Sequence, residues 1–546
     1  MNEAPPELVI VGAAIEAVAG PFAGVHADAL AVSGGRIAAI GQTMEMRAQA
    51  GAGTRVVELD GRTLVPGFMD AHVHPIDGGM TRSQCDLYDL SGADAYLRAI
   101  ADYAAAHPER PWITGGGWSL PDFPGGNPRR DPLDALVSDR PVMLYNRDGH
   151  DLWVNSAALA AAGIDSTTED PVDGRIERDG NGEPSGALHE GAIRLVANHA
   201  PPVSRADRVA GLLDGQRHLH GLGITGWQDA IVRPDDLAAY REVMASGRLT
   251  ARVRLALLWD NKRGLEQIDE LVEMRDAALQ DGLRAGSVKL FVDGIIENRT
   301  AVTVDPYLDP DGSVSDNRGI PMVEPELLRA AVAELDRRGF QCHFHAIGDG
   351  GVRLALDAVE AALAANGPLD RRHHIAHIEL VHPDDIGRFA ALGVVANMQP
   401  FWAMLEAQMR DLRFPVLGMD RARWQFPFRS LLDAGARLAG GSDWPVTTPN
   451  PLLEMEVAVT RTDADNRANE PLFPEERITL DEALAAFTIG SAYVNHLDAE
   501  AGSIEVGKHA DLAILDRDIR SPDAGPLGEA RVLATLIDGA VVFGDA

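Results

Sequence analysis

The chain is 546 residues long, more than one ordinary domain holds and enough for roughly two to four domain-sized units. Its 45% apolar residues suffice for a large buried core, while 49 basic against 82 acidic residues leave a formal net charge of −33. Such a surface repels phosphate backbones and anionic lipid, which excludes nucleic acid and membrane surfaces as natural partners. Only Cys85 and Cys342 occur, too few for a disulfide framework or a cysteine-rich zinc knuckle. The start, Met1-Asn-Glu-Ala-Pro-Pro6, shows no basic stretch followed by an apolar run, and no segment reaches the length of a membrane span. A cytoplasmic location is the expectation.

Residues 1–65 read as short strands punctuated by glycine: Leu8 to Gly12, Ala29 to Ser33, Ile37 to Ile40 and Val56 to Leu59. Residues 496–546 read the same way, with strand-like runs at Gly502–Lys508, Asp511–Asp516, Val532–Ile537 and Val541–Phe543. Short strands at both ends of a helix-rich chain predict one small β-sandwich assembled from the two termini. Between them, over 66–495, strand-like runs alternate with amphipathic stretches such as Glu324–Arg338 and Gly351–Ala365, the pattern of parallel βα units. Eight strands are predicted, at 67–74, 223–229, 251–258, 287–293, 340–345, 374–379, 393–399 and 437–443, so the expected fold is an α/β (β/α)₈ TIM barrel. About 150 residues separate the first two strands, far more than a barrel connection needs. They contain strand-like runs at Trp112–Gly115 and Val142–Tyr145 and a Pro/Gly-rich stretch from Pro121 to Pro132, which predicts an inserted subdomain over about 85–200.

Functional residues of a barrel sit where its strands end. His72 and His74 are two apart on the first strand, so both imidazoles point to one side and can chelate one cation. Alone this pair is weak evidence. Lys289, in the middle of the fourth strand, faces the barrel interior, where an amine is costly unless paired or chemically altered. His345 ends the fifth strand, His377 the sixth and Asp443 the eighth. Histidine nitrogens and carboxylate oxygens suit zinc, and also iron or manganese. Asp443 is placed to hold a metal-activated water, take its proton and pass it to a leaving group. No phosphate loop, Cys–His pair or nucleophile elbow competes for the chemistry.

The motifs Pro66-Gly-Phe-Met-Asp-Ala-His-Val-His74, Lys289 before Asp293-Gly294, His345-Ala-Ile-Gly-Asp349, His377-Ile-Glu379 and Gly441-Ser-Asp-Trp-Pro445 resemble the amidohydrolase superfamily, and within it the amidohydrolase-3, YtcJ-like branch. Asp148-Gly-His-Asp-Leu-Trp-Val-Asn155 and the tail from Gly502 are similar to that branch too, so the resemblance spans nearly the whole chain. It implies His72, His74, His345 and His377 as metal ligands, Asp443 as proton shuttle, and Lys289 as a carboxylated lysine ligating one or two zinc ions. It also implies a small-molecule substrate cleaved at an amide-type C–N bond, with a homodimer a common assembly. Relatives that use such a site for ester hydrolysis, decarboxylation or isomerisation supply a second reading, and a non-catalytic metal-binding regulator a third.

Four further residues are candidate substrate contacts. Trp118 follows three glycines and either walls the pocket or fills a core. His150 either reaches over the pocket or occupies a turn. Glu297 and Arg299 either touch substrate or pair with each other. His343, two residues deeper than His345, is expected to brace a ligand rather than bind the ion.

Overall fold

The computed structural model describes residues 4–19, 27–88, 90–464 and 466–545. Residues 1–3, part of the start read above for a leader, lie outside that set. Among the described residues no helix is long and apolar enough to cross a membrane.

All eight predicted barrel strands form: β1 (Phe68–Val73), β2 (Ile224–Val232), β3 (Arg252–Leu258), β4 (Ser287–Phe291), β5 (Gln341–Ala346), β6 (His374–His377), β7 (Val395–Met398) and β8 (Leu438–Gly440). They lie in sequence order in one parallel sheet. The seam between β1 and β8 closes just past the strand ends, where Asp443 N–H donates to His72 C=O (2.7 Å) and His74 N–H to Trp444 C=O (2.9 Å). Gly441 is required there, because a Cβ on it would meet the His72 nitrogen at 2.7 Å. The predicted amphipathic stretches form helices at Pro325–Arg337 and Asp349–Asn366, with apolar faces packed into the large core around the barrel.

Register stacks the barrel interior in layers. Ser287 of β4 sits beside Gln341 of β5; one layer up, Lys289 sits beside His343, which sits beside His374 of β6; above them Phe291 adjoins His345. The interior is thus unusually polar, and each polar group needs a partner inside the barrel.

Strands from the two termini form two sheets. One contains Leu8–Val11, Ala29–Ser33, Arg36–Gly41 and Arg55–Glu58; the other joins Ala14–Ile15 and Thr63–Pro66 to Leu512–Leu515, Val532–Ile537 and Ala540–Gly544. Ile10, Leu30, Val32, Leu64, Leu512, Ile514 and Leu536 pack between them, making the expected sandwich. Gly502–Lys508 is not a strand, against the sequence expectation. It turns sharply at Gly507 (φ 95°), and the Lys508 ammonium donates to Ser503 Oγ at 2.6 Å.

The insertion is a six-stranded sheet in the order Gly174–Arg178, Pro184–Glu190, Asp151–Val154, Val142–Asn146, Ile113–Trp118, Cys85–Asp86. Its strands alternate between two apolar clusters, with Val142, Leu144 and Trp153 on one face and Met143, Leu152 and Val154 on the other.

Helix α1 (Pro75–Thr81) follows His74 directly and crosses α2 (Arg205–Gly221) at backbone contact. A Cβ on Gly79 would lie 1.9 Å from Gly211 C=O, and one on Gly215 would lie 2.2 Å from Pro75 C=O. The crossing fixes where β1 ends. Gly79→Ala is expected to cost about 1–3 kcal/mol through overpacking, read as a lower thermal unfolding midpoint by circular dichroism; an unchanged midpoint would show that the helices slide apart freely.

Candidate metal centre

Asp70 organises the site from behind. Its carboxylate accepts from the His72 N–H (2.9 Å), the Ser442 N–H (3.1 Å) and the Ser442 hydroxyl (2.6 Å), binding β1 to the segment after β8. Burial pushes its pKa up to about 7 despite these three donors. The ends of the two strands that carry His72, His74 and Asp443 are thereby held side by side.

On that frame Asp443 faces three imidazoles. Its Oδ1 lies 2.9 Å from His74 Nε2 and 3.2 Å from His72 Nε2, and its Oδ2 lies 3.9 Å from His377 Nδ1. His72, His377 and Asp443 offer donor atoms within 4.8 Å of one another, all buried. Burial opposes ionisation of Asp443, but the surrounding imidazoles outweigh it and hold the carboxyl well below its usual range. Burial pushes His72 down to about 3 and His345 and His377 well below the ordinary imidazole value. Asp443 is therefore a carboxylate close to the neutral imidazoles of His72, His345 and His377, the protonation state that metal binding requires.

Two of these groups occupy costly backbone. His377 (φ 78°), the next residue Ile378 (φ 45°) and Asp443 (φ 57°) are all left-handed. His377 is held there by its N–H, which donates to Gln399 Oε1 at 2.7 Å, and Asp443 by its bond to His72 C=O. Strain so pinned aims side chains inward where a relaxed strand end would splay them.

Lys289 is buried with Nζ 3.3 Å from His72 Nε2, and burial lowers its pKa to about 7. The His345 ring meets that of His377 edge-on at 4.4 Å and lies tilted 5.0 Å from that of Phe291. Buried His74 Nδ1 and His377 Nδ1 have no hydrogen-bond partner, and the latter faces the Asp443 carboxylate. A cation among these donors would satisfy that nitrogen, so the residues fit a metal of the zinc type.

The structure separates the four candidate substrate contacts. His150 leans over the centre from the insertion, its ring 5.9 Å from His345, with Nδ1 3.0 Å from Glu190 Oε2. Burial opposes protonation of that ring, but Glu190 and neighbouring Asp151 and Asp148 raise its pKa to about 9. Trp118 does not face the centre: it fills the insertion core, stacks edge-on against Trp153 and Phe123, and donates to Leu144 C=O at 2.8 Å. Glu297 and Arg299 do not pair with each other. Glu297 is buried against Arg413 and Gln408, and Arg413 also meets Glu379 at 2.6 Å; Arg299 lies outside, 3.4 Å from Asp309.

Sequence reasoning passed over Trp402, whose ring lies 5.7 Å from His377, and Glu190, the partner of His150. It also passed over Asn397 and Gln399 on the seventh strand, although their alternate spacing at a strand end was a readable signal. His343, expected to support a ligand from below, lies with Nε2 2.9 Å from His72 Nδ1.

A model of the amidohydrolase family matches residues 55–543. Protein LONG AFTER FAR-RED 3 of Arabidopsis thaliana is 34% identical over 95% of this chain and 88% of its own length. The putative amidohydrolase YtcJ of Bacillus subtilis is 30% identical over 95% and 96%, and an N-substituted formamide deformylase of Arthrobacter pascens is 30% identical over 95% of each. Among solved structures, an uncharacterised metal-dependent hydrolase from Pyrococcus furiosus superposes with a TM-score of 0.69 at 26% identity, over 94% of this chain and 98% of that one. With its eight-stranded barrel, its terminal sandwich and a carboxylate ringed by imidazoles, the chain belongs to the amidohydrolase family.

Proposed function

We propose that this protein hydrolyses the C–N bond of a small N-formyl or N-acyl amine. The observation that carries the reading is the ionised Asp443 within reach of His72, His74 and His377, beside a buried Lys289 amine. The formamide deformylase among the full-length relatives supports the choice of bond. His72, His74, His345 and His377 would hold one or two zinc ions. When bound, zinc polarises a carbonyl oxygen and brings the pKa of a water to near about 7.

The chain's own residues supply the proton traffic. Asp443 takes a proton from the attacking water, and as the C–N bond breaks it delivers that proton to the amine nitrogen. The products are the carboxylic acid and the free amine. Protonated His150, braced by Glu190, donates a hydrogen bond to substrate from the opposite wall. Phe291 and Trp402 give the apolar side of the pocket on which an N-substituent rests. Lys289 with its pKa near 7 keeps a share of neutral amine, the form that attacks CO₂; the carbamate formed is an anionic oxygen ligand in place of a buried ammonium.

Asp443→Asn should lower kcat on an N-substituted formamide by about 10²–10⁴-fold with zinc content retained. Full turnover in this variant removes Asp443 from the reaction. Native mass spectrometry should find Lys289 heavier by one CO₂, and Lys289→Ala should lose both this mass and bound metal; an unmodified amine in a fully active enzyme excludes carboxylation. Because His150 is raised, its charged form is present below its pKa and lost as pH climbs through about 9. Wild-type kcat/KM should therefore decline near that pH, and His150→Gln should start lower and lose the alkaline limb. The same limb in both proteins assigns it elsewhere.

A further inference from the structure

Beneath the metal centre a line of side chains runs from the barrel floor to His72. Gln341 Nε2 donates to two backbone carbonyls, Arg372 (2.8 Å) and Val494 (2.7 Å). A carbonyl only accepts, so these bonds fix which end of the amide is nitrogen and turn Gln341 Oε1 toward Gln228 and Ser287. Gln228 must then present its own nitrogen, and Nε2 lies 3.1 Å from Gln341 Oε1, 3.2 Å from Ser287 Oγ and 3.2 Å from Asn495 Oδ1. That leaves Gln228 Oε1 facing His343 Nδ1 at 2.6 Å, which requires the proton on Nδ1. In the neutral ring His343 Nε2 is then a bare acceptor, and 2.9 Å away His72 Nδ1 must be the donor. The lone pair of His72 is left on Nε2, the atom that faces Asp443 and Lys289.

The reverse arrangement fails at the floor. A proton on His72 Nε2 would need one on His343 Nε2, a flipped Gln228, and its oxygen against the Gln341 oxygen, whose orientation the Arg372 and Val494 carbonyls fix. Every member is buried, so water cannot repair such a clash. Nor is the allowed arrangement neutral at its upper end. It sets the His72 Nε2 lone pair against the Asp443 carboxylate at 3.2 Å, two acceptors that a cation between them reconciles.

We infer that Gln341 and Gln228 are positioning residues that act through His343 to lock His72 in the metal-binding tautomer, with the orientation set by the Val494 and Arg372 carbonyls. The inference rests on the proposed metal centre for its consequence, though not for the tautomer. Val494 ends the helix Ser491–Val494 and Asn495 follows it, so docking of the end of that helix reaches the metal centre through four side chains.

The test has two parts that fail separately. In wild-type protein with ¹⁵N-labelled histidine, long-range ¹⁵N–¹H spectra, assigned with His343→Phe, should show His343 protonated on Nδ1. A proton on Nε2 overturns the relay. Second, zinc affinity is measured by competition with a chelator. Gln228→Met, which offers no acceptor, should weaken zinc binding by about 10–100-fold. Gln228→Glu, kept neutral by burial, retains a carbonyl acceptor toward His343 and a hydroxyl donor toward Gln341 Oε1, and should stay close to wild type. Equal losses in the two variants overturn the relay as well, and if Gln228→Met does not fold, the wild-type spectra decide alone. Failure of wild-type protein to bind zinc overturns the metal-centre reading and leaves the tautomer result standing.

Discussion

The carboxylate of Asp70 is the point on which the centre is assembled. A (β/α)₈ barrel brings its first and last strands together only at the end of its winding, and nothing in the parallel ladder guarantees their relative height. Here one buried side chain accepts from β1 and from the segment after β8 at once. His72 and His74 lie on one side of that junction and Asp443 on the other. A slip of one residue would turn the imidazoles to the far face of the strand. Asp70, close packing at Gly441 and the Asp443–His72 backbone bond exclude that slip together.

Above the junction, the structure spends backbone strain; below it, satisfied polarity. His377, Ile378 and Asp443 are held left-handed by Gln399 and by the seam, while Gln228, Ser287, Gln341 and His343 fill layers that an ordinary barrel packs with branched apolar side chains. Buried polar groups are tolerable only when each has a partner, and here the partners dictate one another's orientation. The same low-dielectric interior that drives Lys289 toward its neutral form keeps the imidazoles unprotonated.

Much of this was legible in the sequence because strand ends in barrels carry a periodic signal. Runs such as Ser287–Asp293 and Phe340–His345 announce both the element and the face, so all eight strands and the residues converging on Asp443 could be named. The insertion was harder. Asp151–Val154 and Pro184–Glu190 are strands buried on both faces, and with polar Asp151, Ser185 and His189 buried among their apolar residues they give no apolar–polar alternation to read. Trp118 shows the limit at a single residue: three preceding glycines fit a loop or a core strand equally, and only the contacts with Trp153 and Phe123 decide. Partners distant in sequence, such as Glu297 with Arg413 or Gln228 with His343, carry no local pattern at all.

The sandwich assembled from both termini has a consequence for synthesis. Thr63–Pro66 leads straight into β1, and its antiparallel partner, Leu512–Leu515, is made more than four hundred residues later. On the ribosome the early strand therefore waits with one edge unpaired while the whole barrel emerges. An exposed edge invites pairing with other nascent chains. Its shortness and the Pro66 at its end, which lacks an amide hydrogen, make it a poor template during that wait.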